Sequence, residues 1–299
     1  MFNDCRDFQY FIYQDARRYF INNHHILIKL EKFITSKLYE MINKSIQQIV
    51  EDYNEASYLY PFWQNYPPEE RGRQPIGDQY PWIEVGEHAI GDKIPRLMAE
   101  YFGIRDVGLP TGSDVRLVLQ NNEIHHITNG LTDKCWLFLD IKSVGPRDDQ
   151  DHAVMSHNQI SGSGKWDDVD NGIQNDVIVA RGSKASHLFH CSVPPFYVLS
   201  DKTIVPVVII ILKPVYKMLS LKKNSQDGGQ PLQRISVATV PNGLLLHENP
   251  HYLAHHPQLF FPGKDDKTKN PLKVRCRVSF KILRGIDNWR FQEIKSVEC

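Results

Sequence analysis

The chain has 299 residues, 41% hydrophobic and 23% charged, the composition of a folded protein long enough for a substantial core. Its 35 Lys and Arg balance 35 Asp and Glu, so the global charge gives no hint of nucleic acid. Five scattered cysteines (Cys5, Cys135, Cys191, Cys276, Cys299) fit reduced thiols rather than a disulfide framework, and the longest apolar run, VPVVIIIL at 205–212, is too short to span a bilayer.

The opening MFNDCRDFQYF lacks the basic and apolar regions of a secretory signal, which predicts a cytoplasmic protein. Residues 5–52 read as helical: Leu27, Leu30, Ile34, Leu38, Met41, Ser45 and Ile49 recur at spacings of three and four. The stretch YPFWQNYPPEERGRQPIGDQYPW (60–82) carries five prolines and many aromatics, and reads as a long ordered loop. Residues 83–102 read as helical, with breaks at Gly86, Gly91 and Pro95, and LPTGS (109–113) reads as a turn. Strand signals follow at VRLVL (115–119), CWLFLDIK (135–142), FYVL (196–199), TIVPVVIIIL (203–212) and RISVATV (234–240). KVRCRVSFKIL (273–283) alternates strictly, which predicts a strand through its whole length. Residues 145–176 are polar and are expected to be a mobile loop. With no internal repeat and no Gly/Ser linker, these elements predict one α/β domain with a mixed sheet and decorating loops.

Within CWLFLDIK, Asp140 and Lys142 intrude on an apolar run. Residues i and i+2 of a strand share a face, so the two sit side by side. A carboxylate beside a lysine at the end of a buried strand suits phosphodiester hydrolysis. The acid holds a hard cation such as Mg²⁺, and the lysine orients the attacking water and neutralises charge. Asp114, at the turn-to-strand junction TGSDVRLVL, offers the second carboxylate. The acid-x-Lys pattern alone is weak. It recurs at Asp265/Lys267, in a polar turn, and at Glu293/Lys295, near the C-terminus, and the bland reading is a structural ion pair. Only the first ends an apolar strand and has an upstream partner.

From Lys264 to Arg284 there are eight Lys/Arg and two Asp, a local charge of +6. Val274, Cys276, Val278, Phe280 and Ile282 fall on one face of the alternating segment. Lys273, Arg275, Arg277, Ser279 and Lys281 fall on the other. A solvated face is the bland reading, but solvated faces usually mix signs and this one holds no acid. Arginine forks match guanine O6 and N7, Asp265 and Asp266 suit a cytosine amino group, and Lys267 and Lys269 suit phosphates. GSGK (162–165) lacks the remaining positions of a phosphate loop, with Gln159 and Trp166 where Gly and Ser/Thr are needed. HLFHC (187–191) lacks a second zinc half-site and reads as packing.

The motifs LPTGSD, TNGLTD, DIKSVGPRD, PNGL and PGKDDKTK followed by VRCRV resemble the BglI-type type II restriction endonucleases. The correspondence runs in order over about residues 50–285, from DYNEA and PFWQNYPP through PWIEVGE, and weakens in the N-terminal helix and the last fifteen residues. The resemblance implies a PD-(D/E)xK nuclease: a restriction-endonuclease-like mixed sheet flanked by helices, in a single domain. Its parts would be an N-terminal helical part at 1–55, a catalytic core at 83–145 and a basic DNA-reading strand at 260–285. It implies a prokaryotic homodimer that cuts duplex DNA with one or two Mg²⁺ per active site. The target would be the interrupted palindrome GCCNNNNNGGC, cut to leave 5′-phosphate and 3′-hydroxyl ends with a short 3′ overhang. Asp114, Asp140 and Lys142 fall on the catalytic positions, the carbonyl of Ile141 on a backbone metal ligand, and Glu87 on an auxiliary acid. Lys264, Asp266, Arg275, Arg277 and Asp148 fall on base-reading positions. Ser113 replaces the usual proline before the first aspartate, with Pro110 three residues upstream. The metal chemistry belongs to the aspartate, so the site survives that departure. A cognate methyltransferase is expected in the same restriction-modification system, though not as a physical partner. The competing reading is a catalytically silent, sequence-specific DNA-binding protein, and the complete Asp/Asp/Lys set argues against it.

Overall fold

The computed structural model describes residues 2–63, 89–106, 108, 111–144, 150–182, 186–216, 232–262 and 274–296. The N-terminal helical region is divided into α1 (Phe2–Asn22), α2 (His24–Lys44) and α3 (Ile46–Trp63). At the second break the Ser45 N–H donates to both the Met41 and Ile42 carbonyls at 3.1 Å, and helical pairing restarts one residue later. The predicted stripe is buried along α2, through Leu27, Leu30, Ile34, Leu38 and Met41, and resumes at Ile46 and Ile49. α3 continues through Pro61 to Trp63, so the helix overruns the start of the expected loop, whose remainder lies outside the described residues. α4 (Lys93–Ala99) carries Pro95 in its first turn, where a backbone N–H has no intrahelical partner to lose.

Next come β1 (Gly103–Asp106), β2 (Val115–Gln120), α5 (Asn122–Ile127), β3 (Lys134–Ile141) and β4 (His152–Met155). A hairpin, β5 (Asp176–Arg181) and β6 (Ser186–Cys191), precedes β7 (Phe196–Val198), β8 (Ile204–Tyr216) and β9 (Leu232–Val240). The chain closes with α6 (Gly243–His247), α7 (Tyr252–His255), β10 (Phe260–Pro262), β11 (Cys276–Ser279), α8 (Phe280–Ile286) and β12 (Phe291–Lys295).

The main sheet runs β1-β2-β3-β8-β9-β12, with β7 also pairing β8, and is mixed as expected: β3 and β8 are parallel and the other pairs antiparallel. β3 and β8 are central and covered on both faces, which explains why their sequences are continuous apolar runs rather than alternating ones. On one face α2 and α4 pack against Leu117, Leu137, Leu139, Val208, Ile210 and Val237. The opposite face, with Trp136, Phe138, Ile209 and Ile211, is covered by α1, β6 and the smaller sheet β10-β11-β4. Across the edge of this stack Arg290, wholly buried, holds Glu31 of α2 at 2.8 Å, and the Asn242 N–H donates to the same carboxylate at 2.6 Å. Burial raises the Glu31 carboxyl and the Arg290 guanidinium pulls it back, the balance expected of a buried pair that needs every hydrogen bond.

Two expectations are overturned. Residues 150–176 are not a mobile loop: β4 forms there, and Ile160, Ser161 and Ser163 are buried. Small residues are needed because backbones meet here; a Cβ on Gly243 would lie 1.7 Å from the Gly162 carbonyl, and Tyr13 donates to the Gly164 carbonyl at 2.8 Å. Nor is 273–283 a strand throughout. It is extended only to Ser279, whose hydroxyl accepts the Ile282 N–H at 3.4 Å and caps α8. Phe280 and Leu283 are then buried at helical spacing, while the exposed Lys281 leaves the basic strand face. No helix among the described residues is long and apolar enough to cross a membrane.

Candidate active site at the ends of β2 and β3

β2 and β3 are antiparallel with Val115 opposite Leu139, a register that brings Asp114 level with Asp140 one residue further out. On β3 the side chains of Leu137, Leu139 and Ile141 enter one core and those of Trp136 and Phe138 the other. Alternation therefore puts Asp140 and Lys142 together on the Trp136 side, at the point where the apolar face ends. Asp140 is 1% exposed, and its Oδ2 lies 2.7 Å from Lys142 Nζ. Its Oδ1 accepts from Gln159 Nε2 at 2.5 Å. A carboxylate this deep is tolerable only with such partners. Asp114 is exposed at the mouth, and its Oδ2 accepts the Ile141 N–H at 2.6 Å. Beyond the end of β3 the backbone stays fixed: Lys142 N–H donates to the Leu212 carbonyl at 2.8 Å and Val144 N–H to Pro214 at 3.0 Å, both on β8.

The turn that delivers Asp114 is docked as well. Gly112 N–H donates to the Asn158 carbonyl at 3.1 Å, and the Gly112 carbonyl accepts from Gln159 Nε2 at 2.7 Å. A Cβ at Gly112 would fall 2.4 Å from Asn158 Oδ1, so the turn packs closely on the Asn158 side chain. Asp114, Asp140 and Lys142 thus converge, as the sequence predicts. Glu87 lies outside the described residues.

Among the described residues no group of three His, Cys, Asp or Glu forms a ready metal cage. Two carboxylates, with the Ile141 carbonyl, would nevertheless offer an all-oxygen donor set. That set suits a hard cation of the Mg²⁺ type, which takes few protein ligands and keeps its remaining positions for water and phosphate oxygens. Lys142 supplies a positive charge beside this set.

The basic segment lies in the smaller sheet, where β11 pairs with both β10 and β4. Cys276 and Val278 are buried, Arg275 is exposed and Arg277 half-buried, so the expected alternation holds over these four positions. Arg277 does not stand in open solvent: its guanidinium meets His152 Nε2, and the His152 ring stands edge-on to Phe261 at 5.3 Å. Lys213 of β8, 2% exposed, donates to the His152 carbonyl and ties the smaller sheet to the larger. Arg284, at the far end of the run, pairs with Glu293 at 3.6 Å. Glu293 also holds Arg234 at 3.0 Å, which makes the C-terminal acid-x-Lys match a structural ion pair. HLFHC forms β6, with Phe189 and Cys191 buried in the core as the packing reading expects. Asp148, Lys264, Asp266, Lys267, Lys269 and Lys273 lie outside the described residues.

Sequence reasoning missed residues 152–159 altogether, although they touch both regions: His152 meets Arg277, and Gln159 meets Asp140. A signal was present. Ser156 and Gln159 have the spacing of a capping box, and both of its hydrogen bonds are formed.

Residues 8–294 match the family model described as restriction endonuclease BglI. The type II restriction enzyme BglI of Bacillus subtilis is 46% identical over 290 residues, 96% of each chain. The crystal structure of the restriction endonuclease BglI bound to its DNA recognition sequence superposes with a TM-score of 0.91 at 45% identity, covering all of both chains. Tetrameric restriction endonuclease SfiI bound to cognate DNA superposes with a TM-score of 0.60 at 15% identity, covering 91% of this chain and 85% of that one, a likeness of fold.

Proposed function

The chain belongs to the BglI restriction endonuclease family and is a type II restriction endonuclease that cleaves DNA, and we propose that Asp114, Asp140 and Lys142 carry the chemistry. The observation that supports this most is the joint placement of the three at one strand end, with Asp140 buried and 2.7 Å from Lys142. Asp114, Asp140 and the Ile141 carbonyl would hold Mg²⁺, which when bound would supply charge neutralisation at the scissile phosphate and a more acidic water. Lys142 hydrogen-bonds the attacking water and keeps a positive charge beside the pentavalent phosphorus as negative charge grows. Attack on the phosphorus and departure of the 3′ oxygen leave 5′-phosphate and 3′-hydroxyl ends. Glu87 is assigned the role of auxiliary acid.

Specificity is assigned to Lys264, Asp266, Arg275, Arg277 and Asp148 on base edges, with Lys267 and Lys269 on phosphates and Lys273 a further DNA contact. Arginines and lysine suit guanine and aspartates suit cytosine, which agrees with GCCNNNNNGGC. A two-fold homodimer matches the two half-sites, and each subunit cuts one strand. The test is digestion of a plasmid of known sequence with Mg²⁺ or EDTA, followed by sequencing of the ends. Discrete fragments ending within GCCNNNNNGGC with short 3′ overhangs, absent in EDTA, are the expected result. Discrete fragments elsewhere would refute the target, and unspecific degradation would refute base reading.

A further inference from the structure

We propose that Gln159 is a positioning residue for Asp140, fixing which carboxylate oxygen faces the cation; this rests on the reading of Asp140 as a metal ligand. Gln159 is 6% exposed and every polar atom of its amide is engaged. Nε2 donates one hydrogen to Asp140 Oδ1 at 2.5 Å and the other to the Gly112 carbonyl at 2.7 Å. Oε1 accepts the Ser156 N–H at 2.8 Å. Two neighbours are pure acceptors and one is a donor, so only one orientation of the amide satisfies all three. Its own turn locks that orientation, since the Gln159 N–H is capped in return by the Ser156 side chain.

The consequence for the site is geometric. With Oδ1 committed to Gln159, the carboxylate plane is set and Oδ2 is turned toward Lys142. The second amide hydrogen goes to the Gly112 carbonyl, which holds the amide in this orientation. Groups that orient metal-binding side chains in this way are worth about 10–100-fold in metal affinity or activity.

A bland capping role needs only Oε1, which separates the two readings experimentally. Mn²⁺ is titrated into the full-length protein and free Mn²⁺ is read by electron paramagnetic resonance, beside melting temperature and duplex binding in EDTA. Gln159→Met should weaken Mn²⁺ binding about 10–100-fold, with duplex binding in EDTA unchanged. Ser156→Ala, which removes half of the cap and leaves the contact to Asp140, should stay within about twofold of the parent. In an Asp140→Ala background Gln159→Met should have no further effect, because it acts through that carboxylate. Mn²⁺ binding by Gln159→Met within about twofold of the parent, with Asp140→Ala defective, would overturn the inference and keep the metal site. Equal losses in Ser156→Ala and Gln159→Met would reduce Gln159 to a cap and overturn it too. Parental Mn²⁺ binding by Asp140→Ala would overturn the metal reading itself, and the inference with it. Gln159→Glu keeps the capping acceptor and serves if Gln159→Met does not fold: its Mn²⁺ affinity should shift tenfold or more, and the shift should vanish with Asp140→Ala. A shift that persists there, or no shift, would overturn the inference.

Discussion

The end of β3 and the basic strand β11 meet the solvent in opposite ways. Asp140 is 1% exposed and held from two sides, by Lys142 just past the end of its strand and by Gln159 from the turn after β4. Arg275 is exposed and Arg277 half-buried, the first just before and the second within a four-residue strand at the middle of a three-stranded sheet. The first arrangement fixes a group before substrate arrives, which is what charge stabilisation in a transition state requires. The second leaves long side chains with reach, which is what reading base edges requires. The two are nonetheless joined, because residues 152–159 contact Arg277 at one end and Asp140 at the other.

Four experiments set the two regions against each other. Asp140→Ala should lower cleavage by about 10³-fold or more, since several kcal/mol of charge stabilisation goes with the ligand, while duplex binding remains measurable. Cutting at the parental rate would move the chemistry away from β3. Arg277→Ala should cost ~1–3 kcal/mol in binding to the specific site and little on unrelated duplex, read by competition at fixed salt. Equal losses on both duplexes would mean that Arg277 meets phosphate alone. Ser279→Ala removes the cap at which β11 becomes α8 and should cost about 1 kcal/mol of unfolding free energy, read by denaturant titration. A neutral result would place the switch from strand to helix elsewhere. EDTA should have the smallest effect on the fold: it should stop cleavage and leave the melting temperature unchanged. The carboxylates already have protein partners, Lys142 and Gln159 for Asp140 and the Ile141 N–H for Asp114. A clear fall in melting temperature would show that the metal holds the strand ends together.

Much of this was legible in the sequence, and the exceptions share a cause. A continuous apolar run ending in Asp-x-Lys reads as a central strand with its charges at the exit, so β3 and the placement of Asp140 and Lys142 at its end were legible, although the acid-x-Lys pattern alone fits an ordinary ion pair equally well. The mixed sheet followed from the same kind of run at β8. KVRCRVSFKIL misled because alternation through Phe280 is also consistent with a strand that turns helical. The Ser279 cap and the spacing from Phe280 to Leu283 carried that switch, and strict period two hid it. The polar stretch 150–176 misled more deeply. Gly and Ser signal mobility when exposed, but here they are small because α1 and α6 press against them. Only long-range packing distinguishes the two cases, and a single sequence does not display it. Gln159 was hidden for the same reason, as its partners Asp140 and Gly112 lie 19 and 47 residues away.

The most direct test of the catalytic assignment is a crystal structure of the protein bound to a duplex containing GCCNNNNNGGC and soaked with Ca²⁺, with anomalous scattering used to find the ion. The expected result is a peak about 2.3–2.6 Å from carboxylate oxygens of both Asp114 and Asp140 and from the Ile141 carbonyl, next to a backbone phosphate. A cation bound to other residues, with Asp114 and Asp140 facing only protein and water, would contradict it.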